Sequence, residues 1–418
     1  RAILSDLMNL DFDFANNNVN DPAHNWHAFP AKFPPQIPEL FIKNLTREND
    51  IILDPMMGSC TTLIEASRLN RYAVGFDVDP LSVIIGKAKF ANLDHSKIQT
   101  YASDIINNAN LHVSFNSNEI EEELNKKFDP DTLDFINYWF SKKTQIELWA
   151  LLSEIDKIEI KDYNLFYKMI FSSIIITKSG GVSLSYDLAH TRPHKVEKKQ
   201  TSPIAEFAKK AKKIIDKYAS LQLNSLKVSI DTCDTKKLSL ESNSINLIVT
   251  SPPYANNTID YIRAHKFSLV WFGYSISQLK EIRRGLIGSE NMIANFETNL
   301  PSFTMSIIEE LSIKNKKKSL ILNKYYSQMK SALSEMYRVL KSDSAAIVVV
   351  ASSVLANIDV KTHICLGEIG KQSGFELVRI ASRNLDRNKR MMPVGFKNSN
   401  KGIEARMHTE FLLGFYKA

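Results

Sequence analysis

Cysteine is scarce in this chain, with three residues among 418. Cys60, Cys233 and Cys365 have neither the spacing of a zinc site nor that of a disulfide framework. The sequence therefore gives no support to a disulfide-stapled secreted fold, and it predicts no metal site. A reducing, cytoplasmic compartment is the expectation that follows.

Long apolar runs are also missing. No stretch approaches the length of a membrane span, and residues 1–6 do not resemble a signal peptide. Hydrophobic residues make up 44% of the chain and charged residues 24%, which is an ordinary globular balance. The length allows two or three domains. The formal net charge of +7 favours a polyanionic partner.

Strand and helix patterns alternate at short spacing in the first part of the chain, residues 1–92. Apolar strands are predicted at 51–53 and 72–76, and helices are predicted after them at 61–69 and 81–90. This β-α-β-α order indicates a parallel sheet that is covered on both faces.

The segment before the first strand is predicted to be mostly loop. Residues 1–26 are polar and rich in asparagine. The prolines in residues 27–35 forbid a helix interior and predict an ordered, extended loop. A helix is predicted at 36–44, because its apolar residues share one face.

The alternation breaks between residues 93 and 225, a region that we interpret as an inserted helical domain. Four helices are predicted there, at 131–140, 144–155, 165–177 and 203–221.

The sheet resumes in residues 226–418. Residues 275–318 are predicted to be an irregular, basic segment. The other predicted elements are a long helix at 325–340 and strands at 227–231, 245–250, 345–351, 375–380 and 410–415. The fold class is α/β.

The most informative motif is Thr-Ser-Pro-Pro-Tyr at residues 250–254, directly after a buried apolar run. Such a loop suits the task of holding the exocyclic amine of a nucleobase while that amine attacks a methyl group. The amine is a poor nucleophile because its lone pair is delocalised into the ring. Ser251 Oγ and the carbonyl of Pro252 are placed to accept hydrogen bonds from both N–H groups, which frees that pair. Pro253 helps to fix the loop, and Tyr254 offers a face for base stacking. The alternative is a plain proline turn.

A second motif, Asp-Pro-Met-Met-Gly-Ser-Cys-Thr-Thr, also follows an apolar strand. Backbone amides that approach a ligand closely need small residues, and Gly58 and Ser59 meet that need. Thr61 and Thr62 are predicted to cap the helix that follows. The alternative is an ordinary strand-to-helix turn. The candidate ligand-binding residues of this motif are Asp54, Pro55, Met56, Gly58, Ser59, Thr61 and Thr62.

Three aspartates complete the candidate ligand site. Asp77 ends the next strand, about 20 residues further on. A carboxylate there can accept hydrogen bonds from both hydroxyls of a ribose. The alternative for Asp77 is a helix cap, for which Asp79 is the better candidate, and both are kept in the site. For a third contact with the ligand, Asp234 is preferred to Asp104. Asp234 follows the predicted strand at 227–231, which is the third strand of the sheet if the helical insert interrupts the sheet before it.

These two motifs resemble those of the amino-methyltransferases that act on DNA with S-adenosylmethionine as methyl donor. The resemblance covers residues 27–92 and 227–418. It implies a Rossmann-like methyltransferase fold, with a mixed, mostly parallel sheet and an inserted helical domain, and double-stranded DNA as the partner. It also assigns to the donor site Thr250 and the residues of the His-x-Phe-Pro-x-Lys loop, namely His27, Phe29, Pro30 and Lys32.

Serine before Pro-Pro-Tyr is typical of the cytosine-N4 branch of that family, whereas adenine-N6 enzymes more often carry Asp or Asn. Adenine N6 stays open, because the donor motif precedes the acceptor motif, which departs from the commonest cytosine-N4 order. Methylation of cytosine C5 is disfavoured, because no cysteine follows a proline.

Two further alternatives stay open. RNA guanine-N2 methyltransferases share both motifs, but they usually carry Asp before Pro-Pro-Tyr and an N-terminal RNA-binding domain, whereas few residues precede the core here. A DNA-binding subunit with a decayed site is the other alternative. Cys60 favours this alternative, because it stands where the third glycine of a triple-glycine ligand loop is usual. The intact residues Ser251 and Asp77 oppose it.

DNA contacts are predicted at interrupted basic loops, because reading a groove needs exposed polar and basic tips. Our candidates are Arg192, His194 and Lys195, together with Arg263 and His265 beside the acceptor loop.

By elimination, the insert at 93–225 is the candidate target-recognition domain, and residues 275–318 are a second contributor. A cognate restriction endonuclease is a candidate partner, and the oligomeric state stays open.

Overall fold

A seven-stranded sheet lies at the centre of the described part of the molecule. The computed structural model describes residues 1–14, 21–29, 32–177, 181–185, 197, 201–218, 221, 223–255, 261–289, 299–384 and 409–418. Its strands are β1 (Ile51–Asp54), β2 (Tyr72–Asp77), β3 (Val228–Thr232), β4 (Ile245–Thr250), β5 (Leu340–Ala351), the hairpin pair β6 (Val354–Leu355) and β7 (Ile358–Asp359), β8 (Glu376–Asn384) and β9 (Thr409–Lys417).

Helices precede, cover and interrupt this sheet. They are α1 (Ala2–Leu7), α2 (Gln36–Leu45), α3 (Thr61–Arg68), α4 (Pro80–Phe90), α5 (His95–Lys127), α6 (Pro130–Trp139), α7 (Lys142–Asp156), α8 (Lys161–Ile175), α9 (Pro203–Tyr218), α10 (Tyr261–Leu269), α11 (Ile276–Gly285), α12 (Ser302–Lys314), α13 (Lys316–Val339) and α14 (Thr362–Gln372). Short 3-10 turns lie at Pro22–His24 and Ser225–Lys227.

The strand order is β3-β2-β1-β4-β5-β9-β8. Strands β1 to β5 pair in parallel, and β9 runs antiparallel to both β5 and β8. The predicted α/β class with a mixed, mostly parallel sheet is confirmed. Helices α5 to α9 all fall between α4 and β3 in the chain, and β3 pairs with β2.

The central strands are continuous apolar runs, as expected where helices cover both faces of a parallel sheet. Residues 247–249 of β4 and 346–351 of β5 are completely buried. Register then brings the carboxyl ends of neighbouring strands to one edge, with Asp54 opposite Gly75 and Thr250 opposite Val348. Ligand sites of open α/β sheets lie at this edge.

The insert packs onto helices beside the sheet. Phe166, Phe171 and other buried residues of α5 to α9 share one apolar cluster with Ile85 of α4, with Phe267 of α10 and with Trp271, which follows α10. The division of the chain into two core parts and an insert stays a prediction.

The structure corrects three predictions of local structure. Residues 1–26 are not all loop, because Leu4 and Leu7 of α1 are buried. The 33-residue helix α5 was not predicted; Asp94 caps its start and it is kinked at Asn116. The described parts of 275–318 are not irregular, since they contain α11, which starts with a capping box of Ser275 and Gln278, and also α12.

Two further observations, on membrane-spanning helices and on the cysteines, apply to the described residues. Within them, no helix combines the length and the apolar character needed to cross a membrane. The three cysteines are all free, and Cys60 and Cys365 are buried.

Candidate functional site

A cavity of about 990 Å³, including its open mouth, lies at the carboxyl edge of the sheet. Residues predicted for both motifs line it: Phe29, Lys32, Pro55, Met56, Gly58, Ser59, Thr61, Asp77, Asp79, Asp234, Ser251 and Pro253. The sequence-predicted donor and acceptor motifs therefore meet in one cavity.

The turn after β1 is built from two positive-φ residues. Gly58 has φ +47°, and Cys60 has φ +68°, a left-handed conformation that favours glycine. A Cβ on Gly58 would lie 3.2 Å from the ring of Phe29, so this backbone forms a tight cradle. The predicted threonine caps are wrong: Cys60 occupies the N-cap, and Thr62 Oγ1 donates to the carbonyl of Val249 at 3.0 Å.

Asp77 is fixed by two backbone amides at the end of β2. Its Oδ2 accepts from the amide of Gly58 at 2.9 Å, and its Oδ1 accepts from the amide of Asp79 at 2.9 Å. Burial, with the nearby charge of Asp79, raises the pKa of Asp77 to about 7. A carboxylate has lone pairs beyond these two bonds, so Asp77 can also accept from the hydroxyls of a ribose.

Asp79 has a structural role, as the sequence suggested, although it also reaches the cavity. It caps α4 by accepting from the amide of Leu81 at 2.9 Å. Its other oxygen lies 2.5 Å from Nδ1 of His265. His265 is only 2% exposed and does not line the cavity, so the prediction that it contacts DNA is wrong. Arg263 is partly exposed on α10.

The N-terminal loop reaches the cavity through two of its predicted residues. Phe29 stacks on Tyr261 at 5.2 Å between ring centroids. Lys32 Nζ donates to the carbonyl oxygens of His24 at 2.5 Å and His27 at 3.3 Å. The side chain of His27 does not line the cavity: its Nε2 lies 2.8 Å from Oγ of Ser172 in α8.

Asp54 and Thr250 join the two motifs beneath the cavity. Thr250 Oγ1 donates to Asp54 Oδ1 at 2.7 Å, and the amide of Met56 donates to the same oxygen at 3.2 Å. Both Asp54 and Thr250 are buried, and burial raises the pKa of Asp54 to about 6. Neither residue lines the cavity, so their role is to fasten β1 to β4.

The acceptor loop leaves β4 with Ser251 and Pro253 at the cavity wall. Tyr325 in α13 donates its hydroxyl to the carbonyl of Pro253 at 3.0 Å. Tyr254 donates its hydroxyl to Oε1 of Glu410 at 2.9 Å. Pro252 is buried and Tyr254 is partly buried, and neither of them lines the cavity.

A third wall contains residues that the sequence reasoning missed. Lys236 Nζ lies 2.9 Å from Asp234 Oδ2 and donates to the carbonyl of Gly285 at 3.2 Å. Leu286 and Ile287 line the cavity after α11. The one feature of the sequence that could have indicated this wall is Lys236, two positions after the predicted site residue Asp234.

Some predicted residues lie outside the described part of the chain. They are Pro30 and the DNA-contact candidates Arg192, His194 and Lys195.

Comparison with known proteins found a family model and several relatives. The family model described as a DNA methylase, of the N6 and N4 class, matches residues 9–85. The chain is 28% identical to the Type II methyltransferase M.MvaI of Kocuria varians, over 86% of this chain and 83% of that protein. It is 22% identical to M.AvaI of Nostoc sp., over 92% and 83% of the two chains. A shorter match, 34% identical, links 21% of this chain to 26% of M.PvuII of Proteus hauseri.

Proposed function

Because this chain belongs to the S-adenosylmethionine-dependent DNA amino-methyltransferases of the N4/N6 family, we propose that its acceptor is the N4 amine of cytosine. The observation that carries the proposal is the single cavity at the sheet edge, which Gly58, Asp77 and Ser251 all line. Serine in the first position of the acceptor motif favours the cytosine-N4 branch.

The residues of the donor half fit S-adenosylmethionine. Asp77 offers its carboxylate to the ribose hydroxyls, and Asp234 lies at the wall after β3, where it can accept from the amine of the adenine. The cradle at Gly58 leaves room for backbone to approach the ligand, which a Cβ against Phe29 would reduce. When bound, S-adenosylmethionine supplies an electrophilic methyl group on its sulfonium.

The residues of the acceptor half prepare the amine. Ser251 Oγ and the carbonyl of Pro252 accept from the two N–H groups, which draws the nitrogen toward tetrahedral geometry and frees its lone pair. Tyr325 engages the carbonyl of Pro253, and this contact fixes the loop from the side of α13. No covalent enzyme intermediate is required.

The target base reaches this site by leaving the DNA stack, because atoms inside a duplex are inaccessible to a buried site. We assign target recognition to the insert, residues 93–225, and to its basic residues Arg192, His194 and Lys195. Residues 275–318 are a second contributor. The relatives are named Type II methyltransferases, and on that ground we assign a cognate restriction endonuclease as partner.

The test is methyl transfer from labelled S-adenosylmethionine to unmethylated genomic DNA, followed by mass spectrometry of the nucleosides. We expect N4-methylcytosine from the wild type and its loss in Ser251→Ala. Ser244→Ala is the matched control, because Ser244 precedes the same strand at its opposite end and donates to the carbonyl of Glu241. It should methylate as the wild type does.

The product separates the alternatives. N6-methyladenine would keep the chemistry and replace the base, as the order of the motifs allows. Label in RNA as N2-methylguanine, or in no nucleic acid, would contradict the proposal.

A further inference from the structure

The tip of the acceptor loop is hydrogen-bonded to a buried pair of residues in strands β9 and β8. Tyr254 donates its hydroxyl to Oε1 of Glu410 at 2.9 Å. Glu410 accepts through its other oxygen, Oε2, from Nε of Arg383 at 2.7 Å. Glu410 and Arg383 are both 8% exposed, so this is a buried network rather than a surface ion pair.

Sheet register explains why residues so distant in sequence reach this loop. Glu410 lies opposite Arg383 of β8 and opposite Ala351 at the carboxyl end of β5. Strand β5 also pairs with β4, whose last residue is Thr250. Since β9 runs antiparallel to β5, its first residues lie at the same edge as the loop that leaves β4.

The network has one consistent pattern of donors and acceptors. An ionised carboxylate only accepts, and guanidinium only donates, so the phenol of Tyr254 is the second donor to Glu410. Burial, and then the charge of Glu410, raises the pKa of Tyr254 well above its usual value, which keeps the phenol protonated. The guanidinium of Arg383 compensates the buried charge of Glu410.

Two anchors therefore define where the ring of Tyr254 points. Its backbone follows Pro253, whose carbonyl accepts from Tyr325. Its hydroxyl is held by Glu410 at the opposite end of the ring. A tyrosine side chain with both ends fixed has little freedom about its two χ angles, and a stacking platform works best when its plane is set in advance.

We propose that Glu410, held by Arg383, is a positioning residue that fixes the ring of Tyr254 as the platform on which the flipped target base stacks. The proposal rests on the proposed function, since it needs a base delivered to the acceptor loop. It adds the β8–β9 end of the sheet to the methyl-transfer apparatus, through side chains that do not touch the substrate.

A purely structural pair would behave differently. If Glu410 and Arg383 only fasten β8 to β9, their removal lowers the free energy of unfolding and leaves turnover unchanged for the molecules that stay folded. If they position Tyr254, removal of the tyrosine hydroxyl alone lowers turnover as much as removal of the Glu410–Arg383 pair does, although the ion pair is still present.

The experiment compares Tyr254→Phe with the double variant Arg383→Met, Glu410→Met. The double replacement avoids leaving one buried charge without its partner. Tyr326→Phe is the matched control, because Tyr326 is also a buried tyrosine, next to Tyr325, and donates its hydroxyl to the carbonyl of Val360. For each variant we would measure kcat on DNA and the Kd for S-adenosylmethionine.

We expect kcat to fall about 10- to 100-fold in both the tyrosine variant and the double variant, because small misplacements of reacting groups have effects of this size. The Kd for S-adenosylmethionine should not change. Combining the two changes should add no further loss, because they break the same contact. The control should keep both quantities.

Equal kcat in Tyr254→Phe and the Tyr326→Phe control would overturn the positioning role and leave the proposed function standing. A parallel rise of Kd and fall of kcat would also overturn it, because the defect would then lie in the fold. A wild type that methylates no DNA would overturn the proposed function and the positioning role together.

Discussion

The two walls of the cavity are built in different ways. The donor wall is shaped by backbone: Gly58 and Cys60 adopt positive φ. Asp77 is held by the backbone amides of Gly58 and Asp79, which are near it in sequence. The acceptor wall is held by side chains from distant parts of the chain, with Tyr325 on Pro253 and Glu410 on Tyr254. A local motif can therefore encode the donor wall, whereas the acceptor wall depends on the assembled sheet.

The hydrogen bond from Thr250 to Asp54 is a buried contact that joins the two walls. It fastens the end of β4 to the end of β1, which are neighbours in the sheet. The difference between the walls predicts that donor-side changes alter cofactor affinity, acceptor-side changes alter turnover, and changes at this contact alter stability.

The largest effect on donor affinity should come from Asp77→Asn, which we expect to weaken S-adenosylmethionine binding about 10- to 100-fold by removing a charged acceptor. Calorimetric titration on either side of pH 7 adds a second signature. Burial raises the pKa of Asp77 to about 7, so its ionised fraction falls as pH falls through that value. Ribose hydroxyls bind the ionised form better. Wild-type affinity should therefore weaken below about pH 7 and level off above it.

The asparagine variant should show weak binding with no such dependence on pH. An identical pH profile in the wild type and the variant would assign the titration to another group.

The contact between the walls should affect stability next. Thr250→Val removes the donor to a buried carboxylate, and we expect the free energy of unfolding in urea to fall by about 1–3 kcal/mol. Thr232→Val, at the exposed end of β3, is the control and should change it by less than about 0.5 kcal/mol. Equal losses in the two variants would show that the buried hydroxyl contributes nothing specific.

A smaller effect is expected from Gly58→Ala. The added methyl group must occupy a positive-φ position 3.2 Å from Phe29, and we expect the Kd for S-adenosylmethionine to rise about tenfold. Gly273→Ala carries similar strain, at φ +91°, with no atom near the new Cβ. Both should lose stability, but only the first should lose affinity. Loss of affinity in both would point to general destabilisation.

The smallest effect should come from Lys236→Met. The ion pair with Asp234 is partly exposed, with 24% and 47% of the two side chains accessible, so it is screened by solvent. We expect the Kd for S-adenosylmethionine to change by no more than about threefold, and less at high salt. Lys237→Met, at the exposed neighbouring position, should show no change. A large, salt-independent loss would mean that Lys236 contacts the ligand directly.

The contrast between the walls also explains what the sequence predicted. Gly58, Asp77 and Ser251 belong to short motifs at strand ends, and all three line the cavity. Glu410, Arg383 and Tyr325 carry no local signal, because only the register of β5, β9 and β8 and the packing of α13 bring them to the acceptor loop.

Two failures have a similar physical origin. Residues 275–318 are polar and basic, so they resemble loop, yet a capping box and burial of Leu279 and Leu311 support helices there. His265 looked like a polar group beside the base pocket, but the turn of α10 directs it inward to Asp79. Tertiary packing decided both cases.

The division of labour between the walls is tested most directly by comparing Ser251→Ala with Asp77→Asn in single-turnover methylation of DNA, with the Kd for S-adenosylmethionine measured in parallel. We predict that Ser251→Ala binds the donor as the wild type does and transfers no methyl group. Asp77→Asn should bind weakly and recover transfer when the donor is saturating. Loss of donor binding in Ser251→Ala, or no recovery at saturation in Asp77→Asn, would contradict the account.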